Sequence, residues 1–293
     1  MIYHILYNPL SGNGDAEDAA RILAAMYQKE VCCHDLTKLN PRSFLETLDE
    51  EDGVILCGGD GTLNRWINAT EGCRMPKELL YAAFGSGNDF LRDLGQAEGE
   101  PFPIGDYLQN LPYVEVGGVT YRFLNNVGFG IDGYCCEVGD ALKESYRDTN
   151  EKRKPISYTA IAIKGLLFHF KPTGATVNVD GTEYRYQKVW LAPTMKGRFY
   201  GGGMIPTPAQ DRADPDGKLS LMVFHSVGKL RALMIFPSIF KGKHIKYKKS
   251  VAIHTGHSIS VTFDRPTALQ IDGETISGVT SYRASAKVLA RSV

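Results

Sequence analysis

The chain has 293 residues, 43% hydrophobic and 23% charged, enough for two ordinary domains and close to a globular average, which excludes a disordered chain. Its 33 Lys and Arg balance 33 Asp and Glu, so no global field attracts nucleic acid, and any charge argument has to be local. The 6 cysteines (Cys32, Cys33, Cys57, Cys73, Cys135 and Cys136) form no C-x-x-C pattern, so reduced thiols in a cytoplasmic protein are the simplest reading.

Residues 2–7 are a short apolar run that stops at the turn signal Asn8-Pro9. With no charged leading region and no long apolar core, this run reads as a strand rather than a signal peptide. Residues 15–29 place Ala19, Ile22, Leu23 and Met26 at helical spacing. Strands are expected over 31–36, 53–57 and 79–84; the second is wholly apolar, as a buried parallel strand should be. Helices are expected over 63–70, closed by Gly72, and over 89–94, ended by Gly95. This alternation predicts an α/β domain over residues 1–112, Rossmann-like, with a parallel sheet and crossover helices.

Near residue 112 the pattern changes. Runs 113–116 and 120–124 flank Gly117-Gly118, and runs 177–179 and 183–186 flank Asp180-Gly181, both hairpin signals. Further strands are expected over 219–225, 251–254, 259–263 and 268–271, with helices over 156–168 and 229–240. The second domain, residues 113–282, therefore reads as mostly antiparallel β, a sandwich or an open barrel. The most apolar stretch, 158–170, is interrupted by Lys164 and Gly165 and is too short to cross a bilayer.

Three turns in the first domain each sit between a strand and a helix. They are Asn8-Pro9-Leu10-Ser11-Gly12-Asn13-Gly14, Gly58-Gly59-Asp60-Gly61-Thr62 and Gly85-Ser86-Gly87-Asn88-Asp89. In open α/β sheets, ligands bind at that carboxyl edge. Glycine admits close approach of a phosphate, and the following helix directs free N–H groups at it. No turn has the Gly-Lys-Ser/Thr ending of a Walker A loop. Asp60 stands out, because a carboxylate repels phosphate unless Mg²⁺ bridges the two or the acid positions a hydroxyl. The plainer alternative is that the glycines only make tight turns.

These motifs, taken with Asn64, Asn125-Asn126-Val127-Gly128, Tyr200-Gly201-Gly202-Gly203-Met204, Asp216-Gly217 and Asp272-Gly273-Glu274, resemble in type and order the bacterial-type diacylglycerol kinases. That lipid-kinase branch also holds sphingosine and ceramide kinases and is related to NAD kinases. The resemblance implies an NAD-kinase-like α/β domain, a β-rich catalytic domain, and a tail over 283–293 that returns to the first domain. It implies ATP along Asn8, Pro9, Ser11, Gly12, Thr37, Gly58, Gly59, Asp60, Gly61, Thr62, Asn64, Gly85, Ser86, Asn88 and Asp89. Most members have Thr where this chain has Ser86. It implies Glu274 as the proton acceptor, Asp60 as essential, and Asp272 as an assistant to either. It also implies a structural Mg²⁺ at Asp216 with the carbonyls of Ala213 and Lys218, and it admits a homodimer.

Each implication has a plainer counterpart. Asp272-Gly273 is a favoured hairpin turn, and Asp180-Gly181-Thr182-Glu183 has the same look with no matched role. Asp211, Asp214 and Asp216 form an acidic loop that either faces water or holds a hard cation. The apolar residues of 229–240, followed by Lys241, Lys243, Lys246, Lys248 and Lys249, suit peripheral contact with the inner membrane surface, or else a core helix before a solvated charge run. The leading expectation is an ATP- and Mg²⁺-dependent kinase of a lipid alcohol such as diacylglycerol. NAD kinase and a nucleotide-binding regulator without catalysis stand as alternatives.

Overall fold

The structure is a computed structural model, and it describes residues 1–9, 11, 16–27, 30–85, 87–145 and 156–286. The chain divides into two compact units, Met1–Leu111 and Pro112–Val293.

In the first unit the elements run β1 (Tyr3–Tyr7), α1 (Ala16–Met26), β2 (Val31–Asp35), α2 (Pro41–Glu46), β3 (Gly53–Gly58), α3 (Asp60–Ala69), β4 (Glu78–Ala83), α4 (Asp89–Leu94), β5 (Phe102–Pro103) and α5 (Gly105–Leu108). The sheet order is β2-β1-β3-β4-β5, parallel through β4 and closed by the short antiparallel β5. Every residue of β3 is buried, which explains its unbroken apolar sequence. Ile5, Ile55, Cys57 and Ala82 form one face of the core, with Ala20 and Leu23 of α1 packed on it. α2 lies in a segment, residues 37–52, for which no element was expected. Its signals are local: Asn40 caps it by accepting from Arg42 N and Ser43 N, and Pro41 fills the first turn.

The second unit continues with β6 (Tyr113–Val116), β7 (Val119–Arg122), β8 (Asn126–Gly130), α6 (Ile131–Ser145), α7 (Tyr158–Lys164), β9 (Thr173–Val179), β10 (Thr182–Val189), β11 (Leu191–Met195), β12 (Leu219–Phe224), α8 (Lys229–Ile235), β13 (Val251–Gly256), β14 (Ser258–Ile271) and β15 (Glu274–Ser285). The ten strands pair antiparallel throughout. The long β14 pairs with β9 through its first half and with β8 through its second, so one strand serves both parts of the sheet. Its register against β15 shifts between Thr262 and Leu269, the bulge that lets it bend. β12 is buried on both sides. Leu219, Leu221 and Val223 join the core between strands, where Phe129 meets Phe263 and Tyr282, while Met222 and Phe224 face the helices.

Several boundaries differ from expectation. α3 starts at Asp60 rather than at residue 63, so Asp60-Gly61-Thr62 is the first helical turn and only Gly58-Gly59 precede it. α6 was not expected at all, because Gly133 and Gly139 dilute its pattern. Those glycines are there for contact: Gly133 lies against the Ala268 backbone and Gly139 against the Tyr158 ring. The expected 229–240 helix changes at Pro237 into a 3₁₀ segment, Phe236–Lys241. Of the expected 283–293 tail, Arg283 to Ser285 end β15 and pair with β6, and residues 287–293 lie outside the described residues.

Candidate functional site

The three glycine-rich turns follow β1, β3 and β4, which are neighbours in the sheet, so all three meet at its carboxyl edge. Thr37, just after β2, reaches the same edge and closes an Asx turn, its N–H and hydroxyl both donating to Asp35 Oδ1. Leu10, Gly12, Asn13, Gly14 and Ser86 lie outside the described residues. Direct hydrogen bonds lace the rest together. Thr62 Oγ1 lies 2.8 Å from Ser11 Oγ and receives Asn8 Nδ2 at 3.4 Å. Pro9 sits between those two anchors.

The second and third turns touch through backbone. A Cβ on Gly85 would stand 2.6 Å from Gly59 Cα and 2.7 Å from Asn88 Oδ1. A Cβ on Gly58 would stand 2.6 Å from Thr62 Oγ1. Gly85 is therefore required by the crossing of the turns, and Gly58 by the Thr62 side chain of its own turn, before any ligand is considered.

Asp60 is the pivot of this edge. Its carboxylate accepts the backbone amides of Asp89 at 2.7 Å and Phe90 at 3.2 Å. The acid that looked out of place among phosphate-binding glycines thus caps a helix from another turn. α4 needs that cap, because its own N-cap residue, Asn88, is left-handed (φ 46°) and supplies no side-chain cap. Asn88 instead accepts Gly85 N at 2.9 Å and donates to Glu98, while Asp89 receives Arg92 Nη1 at 3.1 Å. Gly59, the N-cap of α3, brings no side chain either and makes no side-chain cap bond. Of two helix N-termini at one sheet edge, α4 is closed by a carboxylate from another turn, while α3 begins at a glycine that offers no side-chain cap. The α3 end, beside Gly58-Gly59 and followed by Gly61 and Thr62, fits an anionic phosphate group. Asn64, one turn on, is buried, and its backbone and side-chain oxygens accept Asn68 Nδ2.

In the second unit the matched acids separate into different roles. Asp272 and Gly273 are both left-handed, at φ 47° and 89°, and form the hairpin turn between β14 and β15. Asp272 is buried, and its carboxylate accepts three successive amides, from Leu124, Asn125 and Asn126, at 2.5, 2.7 and 3.0 Å. Arg212 secures the same loop from the other side, donating to Leu124 O and to Asn125 Oδ1, each at 2.6 Å. The comparison hairpin at Asp180-Gly181 has the same backbone, and its carboxylate bridges to His257 N and Ser258 N at the surface. The difference is burial. Asp272 fixes the loop that leads into β8.

Glu274 opens β15 and is half-buried. The turn that carries it is held by a residue that sequence reasoning did not single out. Gly273 N donates to Gln270 Oε1 at 2.9 Å, and Gln270 Nε2 donates to Asp132 Oδ2 at 3.2 Å. Asp132 sits at the start of α6, and burial pushes its carboxyl up to about 6. Since α6 was not anticipated, Asp132 carried no legible signal.

The acidic loop is self-contained. Asp211 accepts Ala213 N, Asp214 accepts Asp216 N and Lys218 N, Asp216 Oδ2 receives Lys218 Nζ at 2.7 Å, and Lys218 O receives Gln210 Nε2 at 3.0 Å. Among the described residues no three His, Cys, Asp or Glu side chains converge on one point. In this loop Asp216 is exposed and paired with Lys218, and the Lys218 carbonyl faces Gln210. The three glycines 201–203 all have positive φ, at 59°, 79° and 110°, and make a tight loop closed by paired hydrogen bonds between Tyr200 and Met204.

Comparison with known proteins agrees with this geometry. Residues 3–108 match the diacylglycerol kinase catalytic domain, and residues 126–289 match the YegS C-terminal NAD kinase beta sandwich-like domain. A diacylglycerol kinase of Mycobacterium tuberculosis is 27% identical over 260 residues, covering 82% of this chain and 79% of that protein. A diacylglycerol kinase of Bacillus subtilis is 23% identical over 286 residues, covering 92% and 88%. A solved diacylglycerol kinase structure from Bacillus anthracis superposes with a TM-score of 0.58 at 19% identity over 97% of this chain and 93% of that one, a likeness of fold.

Proposed function

The chain belongs to the bacterial-type diacylglycerol kinase and lipid kinase family, and on that premise we propose that it transfers the terminal phosphoryl group of ATP to the hydroxyl of a lipid alcohol, with diacylglycerol the first acceptor to test. The observation that supports this reading is the asymmetry between the two helix N-termini at the sheet edge: α4 is closed by Asp60, and α3 starts at Gly59, which offers no side-chain cap.

Phosphoryl transfer asks a protein for positioning, charge neutralisation and a proton acceptor. The first turn of α3, with Gly58, Gly59, Gly61 and Thr62, would receive the phosphates. Ser11 and Asn8, tied to Thr62, keep that turn in register with β1. Glu274 would take the proton of the acceptor hydroxyl, held in place by the Asp132–Gln270–Gly273 chain of hydrogen bonds. Asp272 keeps the hairpin fixed while Glu274 works. Mg²⁺ would enter bound to the nucleotide's phosphate oxygens and water, supplying charge neutralisation.

Labelled ATP offered with diacylglycerol, a sphingosine-type lipid and NAD in parallel tests the reading. Phosphorylated diacylglycerol is the expected product. Phosphorylated NAD with no lipid product would replace this reading with NAD kinase, and no product from any acceptor would favour a regulator.

A further inference from the structure

Two segments of the second unit share one core and leave one outer face bare. In α8 and the 3₁₀ segment after it, Ala232, Ile235, Phe236 and Ile239 point inward. Leu230 and Met234, one turn apart, are left 76% and 72% exposed. α7 and the π-helical turn after it, Gly165–His169, bury Ala162 and Leu166 in the same core. That turn leaves Phe168 71% exposed, and Ile163 and Tyr158 are also exposed. The π turn and α8 are joined directly, Lys229 Nζ donating to Leu167 O at 3.0 Å. Phe168, Leu230 and Met234 are therefore apolar tips on adjoining elements. A soluble chain does not gain from holding three such side chains in water.

Charge is distributed just as unevenly. The chain as a whole is neutral, yet residues 217–263 contain no Asp or Glu, and neither do residues 156–171. The first of these stretches carries Lys229, Arg231 and five lysines between Lys241 and Lys249. All seven are exposed, and none forms an ion pair with a described carboxylate. Lys164 and Lys171 add to them from the other segment.

From this pairing of bare aliphatic and aromatic tips with uncompensated cations we propose that the outer surface of α7, the π turn and α8, with the 241–249 lysines, is a docking face for an anionic phospholipid bilayer. The tips enter the acyl boundary while the cations meet headgroup phosphates. A second copy of the chain would bring the same positive face and be repelled. A nucleic acid would use the lysines but leave Leu230 and Met234 in water. The face differs from the sequence expectation in a specific way: half of the 229–240 run is core, and its apolar contribution is completed by Phe168 from a distant segment.

The inference deepens the lipid-kinase reading, whose acceptor resides in a bilayer, but its test needs neither nucleotide nor acceptor lipid, so the two can fail separately. The full chain is sedimented with phosphatidylcholine vesicles, with and without phosphatidylglycerol, in low and high salt. Binding to the anionic vesicles at low salt is expected, weakening in high salt, with each cation at the surface worth roughly fivefold. The triple variant F168S/L230S/M234S should bind roughly tenfold more weakly or worse, with an unchanged thermal midpoint and unchanged turnover of a short-chain, water-soluble acceptor. K241E/K243E should bind more weakly and lose part of the salt dependence. No binding to anionic vesicles at low salt overturns the proposal. So does equal binding by the wild type and the triple variant, and so does displacement of the vesicles by duplex DNA together with an unaffected triple variant, which would mark a nucleic-acid surface instead.

Discussion

Asp60 Oδ2 accepts the backbone amide of Asp89 at 2.7 Å, a bond between the first residue of α3 and the first residue of α4. One side chain therefore closes one helix and stands at the mouth of the other. Either oxygen acceptor could close α4, but only a carboxylate brings a charge to the phosphate turn.

That distinction is measurable. Asp60→Asn retains an acceptor and should keep the thermal midpoint near wild type, while turnover falls by roughly tenfold or more if the charge takes part in transfer. Asp60→Ala should lose turnover and, in addition, about 1–2 kcal/mol of stability from the uncapped α4. Thermal melts alongside steady-state rates separate the two roles. Full turnover in Asp60→Asn would reduce Asp60 to a cap.

Glu274→Gln should leave nucleotide affinity largely intact and lower kcat by roughly 10²–10⁴-fold, the usual contribution of a positioned base. Calorimetric titration of nucleotide beside single-turnover rates checks this, and a near-normal kcat would remove Glu274 from the mechanism.

Asp272→Ala is expected to act on folding before chemistry. It strips partners from three buried amides, those of Leu124, Asn125 and Asn126. A loss on the order of 3 kcal/mol or more follows, read as an early melt of the second unit. The surface counterpart Asp180→Ala removes bonds whose donors face water, so its melt should move much less.

Gly85→Ala tests the crossing of the turns. The added Cβ meets backbone at 2.6 Å, with no flexible side chain to yield. A destabilisation of roughly 1–3 kcal/mol and weaker nucleotide binding should appear together in melts run with and without ATP.

Asp132 gives a pH signature. Its carboxyl titrates near 3.8 when unfolded and at about 6 when buried in the fold. Between those values the native state keeps a proton that the unfolded chain has released, so stability falls as pH rises through the window and stays lowered above it. The shift amounts to on the order of 3 kcal/mol. Asp132→Asn should abolish this part of the slope, seen as a wild-type minus variant difference in thermal midpoint that changes across that window and is flat beyond it.

The parts of the molecule that could be read from sequence were those whose cause is local. The apolar run of β3, the Gly117-Gly118 hairpin and the strand-turn-helix rhythm of the first unit all depend on neighbours in the chain, and the structure has them. α6 was hidden because Gly133 and Gly139 answer to Ala268 and Tyr158, far along the chain. The site divides in the same way. Glycine turns could be recognised by type, but the closing of α4 from another turn depends on Asp60 reaching across 29 positions to Asp89. Asp272 and Asp180 cannot be told apart by their turn, only by what surrounds them. Asp132 had no pattern to betray it, since its importance lies in one hydrogen bond to Gln270.

The first strand of the second unit, β6, is paired with its last, β15, through Tyr113–Ser285, Val114–Ala284 and Glu115–Arg283. A growing chain can complete the parallel sheet of the first unit once residue 103 has been made, but the second unit holds an unpaired edge until its final strand arrives. During synthesis β6 and the half-finished sheet must wait for some 160 further residues, at a usual rate of 5–20 per second, a delay on the order of ten seconds. The long exposed edge of that intermediate is where a holding chaperone would be most useful, and a stop codon shortly before residue 283 should yield an aggregating product rather than a trimmed enzyme.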